Sequence, residues 1–240
     1  MPEPSNVINF RKPESKKAGA AVNLPMVVWA VIAVIIAIHG LLELAGASLQ
    51  AFAARNFSFI PARFDAVPFD QVEGAKWWSM LTYGLLHANW AHVLFNSLWL
   101  AIFSKPVHEY FGNLRYLAIL ALGIIAGALT TLFVHWGEAI NLVGISAGVS
   151  ALLAAAIPLM YGRGKALRPL ELLTNRPAII FTVVWLAMTI FSASPQLLSN
   201  TFIPENKIAW EAHLGGFFMG YIAFYALEAT RNRKTKPTLH

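Results

Sequence analysis

Residues 142–152 read LVGISAGVSAL, an apolar segment in which two serines are surrounded by small residues. A hydroxyl inside such a segment is costly unless it has a partner, so Ser146 and Ser150 serve either helix packing or chemistry. Taken alone, the four-residue spacing of Gly144 and Gly148 favours close packing between membrane helices. Whether Ser146 has a chemical role therefore depends on whether another segment brings it a base.

The composition places the chain among membrane proteins. Of its 240 residues, 57% are hydrophobic and only 12% are charged, which would leave a soluble fold too little polar surface to cover its core. The sequence has no cysteine, which excludes disulfides, a thiol nucleophile and cysteine-ligated metal centres. The net charge of +6 comes from residues at the edges of apolar runs, so we expect a lipid bilayer around the protein and no nucleic-acid partner.

Six apolar stretches are candidates to cross a bilayer, whose apolar core of about 30 Å needs about 20 residues of helix. They are residues 25–45, 88–104, 115–136, 142–161, 177–195 and 209–229. We therefore predict an all-α membrane protein, a bundle of six transmembrane helices in one domain of residues 25–229. Basic tails flank it at residues 1–24 and 230–240. The first loop, residues 46–86, is long and mixes aromatic with charged side chains, which predicts a segment lying in the membrane interface.

The lysines and arginines predict the orientation of these spans. If the N-terminus is inside, fourteen of the 18 basic residues fall in the two tails and the inner loops. Basic residues near span ends favour the cytoplasmic side, so we expect a multi-pass protein with both termini in the cytoplasm. The N-terminal tail lacks an arginine- and serine-rich targeting pattern, which favours a bacterial inner (plasma) membrane.

Polar side chains lie at similar depths in three of the predicted spans. At about 1.5 Å per residue from the outer end, Ser146 and His213 are both about 6 Å deep. His92 and Asn96 are about 3 and 9 Å deep on one helix face. Small residues follow two of these groups, as His213, Gly216 and Gly220 on one helix and Ser146, Ser150 and Ala154 on another. If those stripes faced each other, the Ser146 hydroxyl could approach the His213 imidazole to about 3 Å.

These residue types suit acyl-transfer chemistry. A neutral histidine is the usual base that activates a serine near pH 7, so we predict Ser146 as nucleophile and His213 as general base. An acidic third member is not evident, because Glu211 is two residues from His213 and Glu43 has His39 four residues before it. We therefore predict a Ser–His dyad that needs no cofactor and no metal.

The tetrahedral transition state of acyl transfer carries an oxyanion that needs hydrogen-bond donors. The His92 imidazole and the Asn96 amide, four residues apart on one helix face, are suitable donors. The backbone N–H of Ser146, near a helix N-terminus, is a third.

Three motifs in this order resemble the rhomboid family of intramembrane serine proteases. They are His87-x4-His92-x3-Asn96, Gly144-Ile145-Ser146 and Ala212-His213-x-x-Gly216, and the similarity runs from about Lys76 to Leu227. The resemblance implies a six-helix core with Ser146 as nucleophile, His213 as base, and His92 and Asn96 in the oxyanion site. It also implies that the substrates are single-span membrane proteins, cut near the outer face.

Three positions depart from that family pattern. Ala147 stands where a glycine commonly follows the nucleophile, and Ser150 stands where an aromatic residue often packs on the catalytic histidine. Ser79 replaces the arginine of a Trp-Arg pair in the first loop. These departures bear on catalytic efficiency more than on catalytic class.

Two alternatives remain open. The first is a catalytically weak or inactive rhomboid-like protein that binds transmembrane helices. The second is a transporter or metal site that uses His87, His92 and His213, although the sequence shows neither an inverted repeat nor a carboxylate deep in a span.

Overall fold

The computed structural model describes residues 23–65, 72, 74–191 and 209–235. Its helices are α1 (Met26–Ala45), α2 (Ala47–Phe57), α3 (Ala75–Thr82), α4 (Trp90–Val134), α5 (Ser146–Met160), α6 (Pro169–Leu172), α7 (Arg176–Phe191) and α8 (Trp210–Thr235), with short 3-10 turns at Pro61–Phe64 and Tyr83–Leu85. Within these ranges, pairing between extended segments is limited to an isolated antiparallel bridge between Phe59 and Leu142. The described part of the chain is thus predominantly helical, as predicted.

Each of the six predicted spans contains helix, but the helices differ in length. Among the described residues, α1 and α4 are long and apolar enough to cross a membrane, whereas α5 and α7 are apolar helices of 15 and 16 residues. The count of six spans therefore stays a prediction. The first loop contains α2, α3 and both 3-10 turns, and the predicted interfacial position of this loop also stays a prediction.

Helix α4 combines two of the predicted spans. A straight helix of its 45 residues would be about 67 Å long, more than twice the apolar thickness of a bilayer. The helix is broken at Gly112, whose φ of 76° lies in the left-handed region that a glycine adopts without steric cost. Ser104 and Tyr116, on either side of the break, bring their hydroxyls within 3.1 Å, so the chain folds back on itself. We call residues 90–111 the first arm of α4 and residues 113–134 its second arm.

Helix α5 is the centre of the bundle, because its residues from Ala147 to Pro158 are all buried. It packs on the second arm of α4 and on α8, and glycines permit both contacts. A Cβ atom on Gly123 would overlap Ala151, and one on Gly216 or Gly220 would overlap the backbone of Ala147 or Ala151. Such close approach of backbones is the usual way in which membrane helices associate. Gly216 and Gly220 therefore face Ala147 and Ala151, one residue beyond the serine stripe that the sequence suggested.

Candidate active site

Ser146 is the first residue of α5, so its backbone N–H is one of the donors that a helix leaves without an internal acceptor. Its side chain is half-buried. Ser150, one turn later, donates its hydroxyl to the Ser146 carbonyl at 2.9 Å and is thereby used by its own helix. Of the two serines in this segment, Ser146 is the one whose hydroxyl is available for chemistry.

The segment that leads into Ser146 is held by the first loop. Leu142 exchanges both backbone hydrogen bonds with Phe59, at 2.9 and 3.2 Å, and the Ala62 N–H donates to the Glu138 carbonyl at 3.0 Å. The Ser58 hydroxyl contacts the Asn141 side-chain oxygen at 2.9 Å. We call residues 138–145 the serine loop. Because these bonds join residues about 80 positions apart, local sequence patterns gave no sign of them.

Tyr83 connects the serine loop to the second arm of α4. Its carbonyl accepts the Gly144 N–H at 3.0 Å, and its hydroxyl donates to the Ile124 carbonyl at 2.7 Å. Burial raises the pKa of the Tyr83 hydroxyl, which therefore stays protonated and keeps donating.

His92 and Asn96, the predicted oxyanion donors, lie in the first arm of α4, against Gly144. The arm begins after Asn89, whose side-chain oxygen caps the helix by accepting the His92 N–H at 2.9 Å. A Cβ atom on Gly144 would lie 2.6 Å from His92 Cε1 and 3.7 Å from Asn96 Nδ2. Asn96 is buried, and in the described ranges its Nδ2 has no hydrogen-bond acceptor. This amide can therefore donate to a group that enters the site.

His87 packs beside His92, with the ring centroids 5.0 Å apart and the ring planes nearly perpendicular. Burial, together with repulsion from His92, lowers the pKa of His87 to about 3, so this ring is neutral near pH 7. A neutral, buried neighbour holds the His92 ring against Gly144 without adding charge to the site.

His213 lies in the first turn of α8. Gly216, one turn later, packs against the backbone of Ala147, which places His213 beside the N-terminal turn of α5. Among the described hydrogen bonds, none joins the Ser146 hydroxyl to the His213 ring. Catalytic hydrogen bonds are often long before substrate binds, and the dyad stays a prediction.

The suggested pairing of His39 with Glu43 is not seen. The buried His39 ring packs edge-on against Trp90 at 4.7 Å, and Glu43 accepts a hydrogen bond from Gln50 at 3.2 Å. The four-residue spacing was misleading because a large aromatic ring of α4 occupies the space beside His39.

A second polar cluster, which sequence reasoning missed, lies at the start of α8. Glu211 is buried, and its Oε1 lies 3.3 Å from His135 Nε2, while His135 Nδ1 lies 2.9 Å from Glu138 Oε2. The sequence could have indicated this cluster, because Glu211 is an acidic residue inside one predicted span and His135 lies at the end of another. In the described part of the chain, no group of three or more histidine and acidic side chains is arranged to hold a metal ion.

Comparison with known proteins gives a family match over most of this site. The family model described as Rhomboid domain matches residues 74–229, more than half of the chain. Rhomboid protease GlpG of Serratia proteamaculans (strain 568) is 22% identical over 166 residues, covering 69% of this chain and 53% of that protein.

A second relative matches a shorter part of the chain. YdcA of Bacillus subtilis (strain 168), whose name assigns it provisionally to the rhomboid proteases, is 35% identical over 60 residues. That alignment covers 25% of this chain and 30% of YdcA. The chain thus spans between about a third and about half of the length of the two relatives.

Proposed function

Because the chain belongs to the rhomboid family, a family of membrane proteins, we propose that it is an intramembrane serine endopeptidase that uses Ser146 and His213. The observation that carries this proposal is the pair of contacts around Ser146. On one side Gly144 lies against His92 and Asn96, and on the other side Ala147 lies against Gly216 of α8. Nucleophile, base and oxyanion donors therefore come from three helices to one short segment.

In the proposed reaction, the Ser146 hydroxyl attacks the carbonyl carbon of the scissile peptide bond while His213 accepts its proton. The oxyanion that forms receives hydrogen bonds from the Ser146 backbone N–H, the Asn96 amide and His92. His213 then gives its proton to the leaving amine, which produces an acyl-enzyme. A water molecule, deprotonated by the same histidine, releases the second product and restores the serine.

The proposed substrates are single-span membrane proteins. A peptide bond inside a transmembrane helix is protected because its carbonyl accepts a hydrogen bond, so a substrate helix must unwind before it is cut. We infer a preference for small or helix-weakening residues at the cleavage point. The proposal also places both termini in the cytoplasm, the site near the outer face, and the protein in a bacterial inner membrane.

Ala147, one of the departures from the family pattern, does not obstruct the proposed site. Its side chain is fully buried, and a Cβ atom on Gly127 would contact the Ala147 methyl at 2.5 Å. The methyl group therefore points into the packing between α5 and the second arm of α4. We infer that it leaves the space beside the oxyanion donors free.

The test is labelling by a fluorophosphonate probe together with cleavage of a model single-span substrate. We expect the unaltered protein to react with the probe at Ser146 and to cut the substrate, while Ser146→Ala and His213→Ala abolish both. Ser150→Ala is the matched control, because the Ser150 hydroxyl is bonded to its own helix, and it should keep most of the activity. Cleavage that persists in Ser146→Ala would refute the proposal.

The competing function is a catalytically weak or inactive rhomboid-like protein that binds transmembrane helices. It predicts that the unaltered protein co-purifies with the model substrate without cutting it and does not react with the probe. The buried amide of Asn96, which has no acceptor among the described residues, favours the enzyme, since a protein that only binds helices has no need for an oxyanion donor.

A further inference from the structure

We propose that His135 and Glu211 are positioning residues that hold the first turn of α8, and with it the His213 imidazole, in register with the serine loop. This inference rests on the proposed function. It assigns a role to the polar cluster of His135, Glu138 and Glu211, which the dyad chemistry does not use.

The first step of the argument is the burial of Glu211. Only 5% of this residue is exposed, and a carboxylate that leaves water needs polar groups beside it. His135 Nε2, 3.3 Å from Glu211 Oε1, is such a group. Glu211 also lies in the first turn of α8, where the helix dipole favours a negative charge.

The second step concerns the imidazole of His135, which is held at both ring nitrogens. Nδ1 lies 2.9 Å from Glu138 and Nε2 lies 3.3 Å from Glu211, so one ring bridges two carboxylates. A cationic imidazole donates from both nitrogens, whereas a neutral one donates from only one. The His135 backbone is fixed as well, because its N–H donates to the Thr131 carbonyl at 2.9 Å where α4 ends.

The third step is the backbone around His213. The Thr130 hydroxyl contacts the Glu211 carbonyl at 3.0 Å, and Gly127 packs closely against the Ala212 carbonyl. The His213 N–H donates to the Ala209 carbonyl at 3.3 Å. The second arm of α4 therefore holds the first turn of α8 on both sides of Ala212, the residue before the proposed base.

The fourth step links this turn to the nucleophile. Glu138, which binds His135 through its side chain, accepts the Ala62 N–H through its carbonyl and begins the serine loop. The turn that carries His213 and the loop that ends at Ser146 thus share one anchor. A displacement of about 1 Å between two reacting groups can cost about a hundredfold in rate, so this shared anchor is well placed to set their separation.

The experiment compares Glu211→Ala and Glu211→Gln in the rate of fluorophosphonate labelling at Ser146. We expect labelling per folded molecule to fall by about tenfold or more in Glu211→Ala, because the first turn of α8 loses its anchor. Glu211→Gln keeps an acceptor for His135 and should recover most of the rate. With the model substrate, the loss should appear in kcat and leave KM nearly unchanged.

Glu43→Ala is the matched control, because Glu43 is an acidic residue near the C-terminal end of α1 whose side chain accepts a hydrogen bond from Gln50 of α2. It should label at the rate of the unaltered protein. If Glu211→Ala does not fold, His135→Gln is used instead, since it removes the imidazole that lies between Glu138 and Glu211.

A second readout needs no catalysis. The natural chain has no cysteine, so Ala209→Cys introduces a single thiol at the start of α8. We expect its modification by a maleimide to become several-fold faster when Glu211→Ala is added, because the first turn loosens. A lower unfolding temperature with unchanged labelling and unchanged thiol reactivity would overturn the positioning role. Absence of labelling in the unaltered protein would instead refute the proposed function, and the thiol measurement would still decide the positioning role.

Discussion

Gly144 shows how a single residue constrains the site. Its φ of +111° lies outside the range that other L-residues adopt readily, and its missing side chain leaves the space that His92 fills. Glycine at this position thus allows the serine loop to touch His92 and Asn96, the proposed oxyanion donors. The sequence motif identified this glycine as part of a Gly-x-Ser pattern, and the structure supplies its physical reason.

We predict that Gly144→Ala lowers cleavage and labelling by about a hundredfold, because the new methyl group would push the His92 ring and the serine loop apart. The measurement is the fluorophosphonate labelling rate per folded molecule. Gly164→Ala is the control: Gly164 has a similar φ of +92°, but nothing lies within 4 Å of its Cβ position. It should lose about 1 kcal/mol of stability from backbone strain and keep its activity. Equal activity in the two variants would contradict the steric argument.

At the residue scale, the main residues of the candidate site could be predicted from the sequence, but the contacts that hold them in place could not. Ser146, His92, Asn96 and His213 follow from the motifs and from helical depth, which are local properties of the chain. The contact between His135 and Glu211 joins residues far apart in sequence, and no local pattern encodes it.

Among the elements, the contact between α5 and α8 depends most on the absence of side chains. Gly216 and Gly220 lie against the backbone of Ala147 and Ala151, so this interface gains its stability from close dispersion contacts. The sequence predicted the small-residue stripe on α8. On α5 it predicted a facing stripe that begins at Ser146, whereas the residues that face α8 begin at Ala147. The rotation of α5 about its axis depends on its packing against all neighbours, including Gly123 and Gly127 of α4.

We predict that Gly216→Ala destabilises the protein by about 1–3 kcal/mol, because the added methyl group overlaps the Ala147 carbonyl and forces α8 away from α5. Thermal unfolding in detergent measures the change. Gly40→Ala makes the same substitution inside α1, where the nearest atom, on Trp90, would be at an ordinary 3.6 Å. It should be neutral or slightly stabilising, since alanine favours helix over glycine. A Gly216→Ala protein as stable as Gly40→Ala would show that the interface tolerates separation.

At the scale of the whole molecule, the charge distribution predicts which side of the membrane each loop occupies. The absence of cysteine makes this easy to test, because a single thiol can be placed at one exposed position at a time. We expect Ala51→Cys in α2 to react with a membrane-impermeant maleimide in intact cells. Lys165→Cys, between α5 and α6, should react only after the membrane is opened. The reverse pattern would invert the proposed topology and place the site near the cytoplasm.

The fold class could be predicted because each apolar stretch is long enough to form a membrane helix by itself, so each stretch can be recognised without knowing how the others pack. The helix boundaries were harder to predict. The predicted spans 88–104 and 115–136 are helical over most of their length, but they belong to one element, Trp90–Val134, which is interrupted at Gly112. A glycine between two apolar runs does not by itself reveal whether the chain continues or reverses.

The reversal at Gly112 also bears on the order of assembly. The two arms of α4 are neighbours in sequence, so they can associate early, and their pairing creates a surface that already presents Asn96 and the second-arm glycines. The proposed nucleophile Ser146 and the proposed base His213 arrive later, on α5 and α8, which are synthesised afterwards. On the proposed mechanism, the protein can cut only after α8 has inserted, and a nascent chain that still lacks His213 has no means to attack its neighbours.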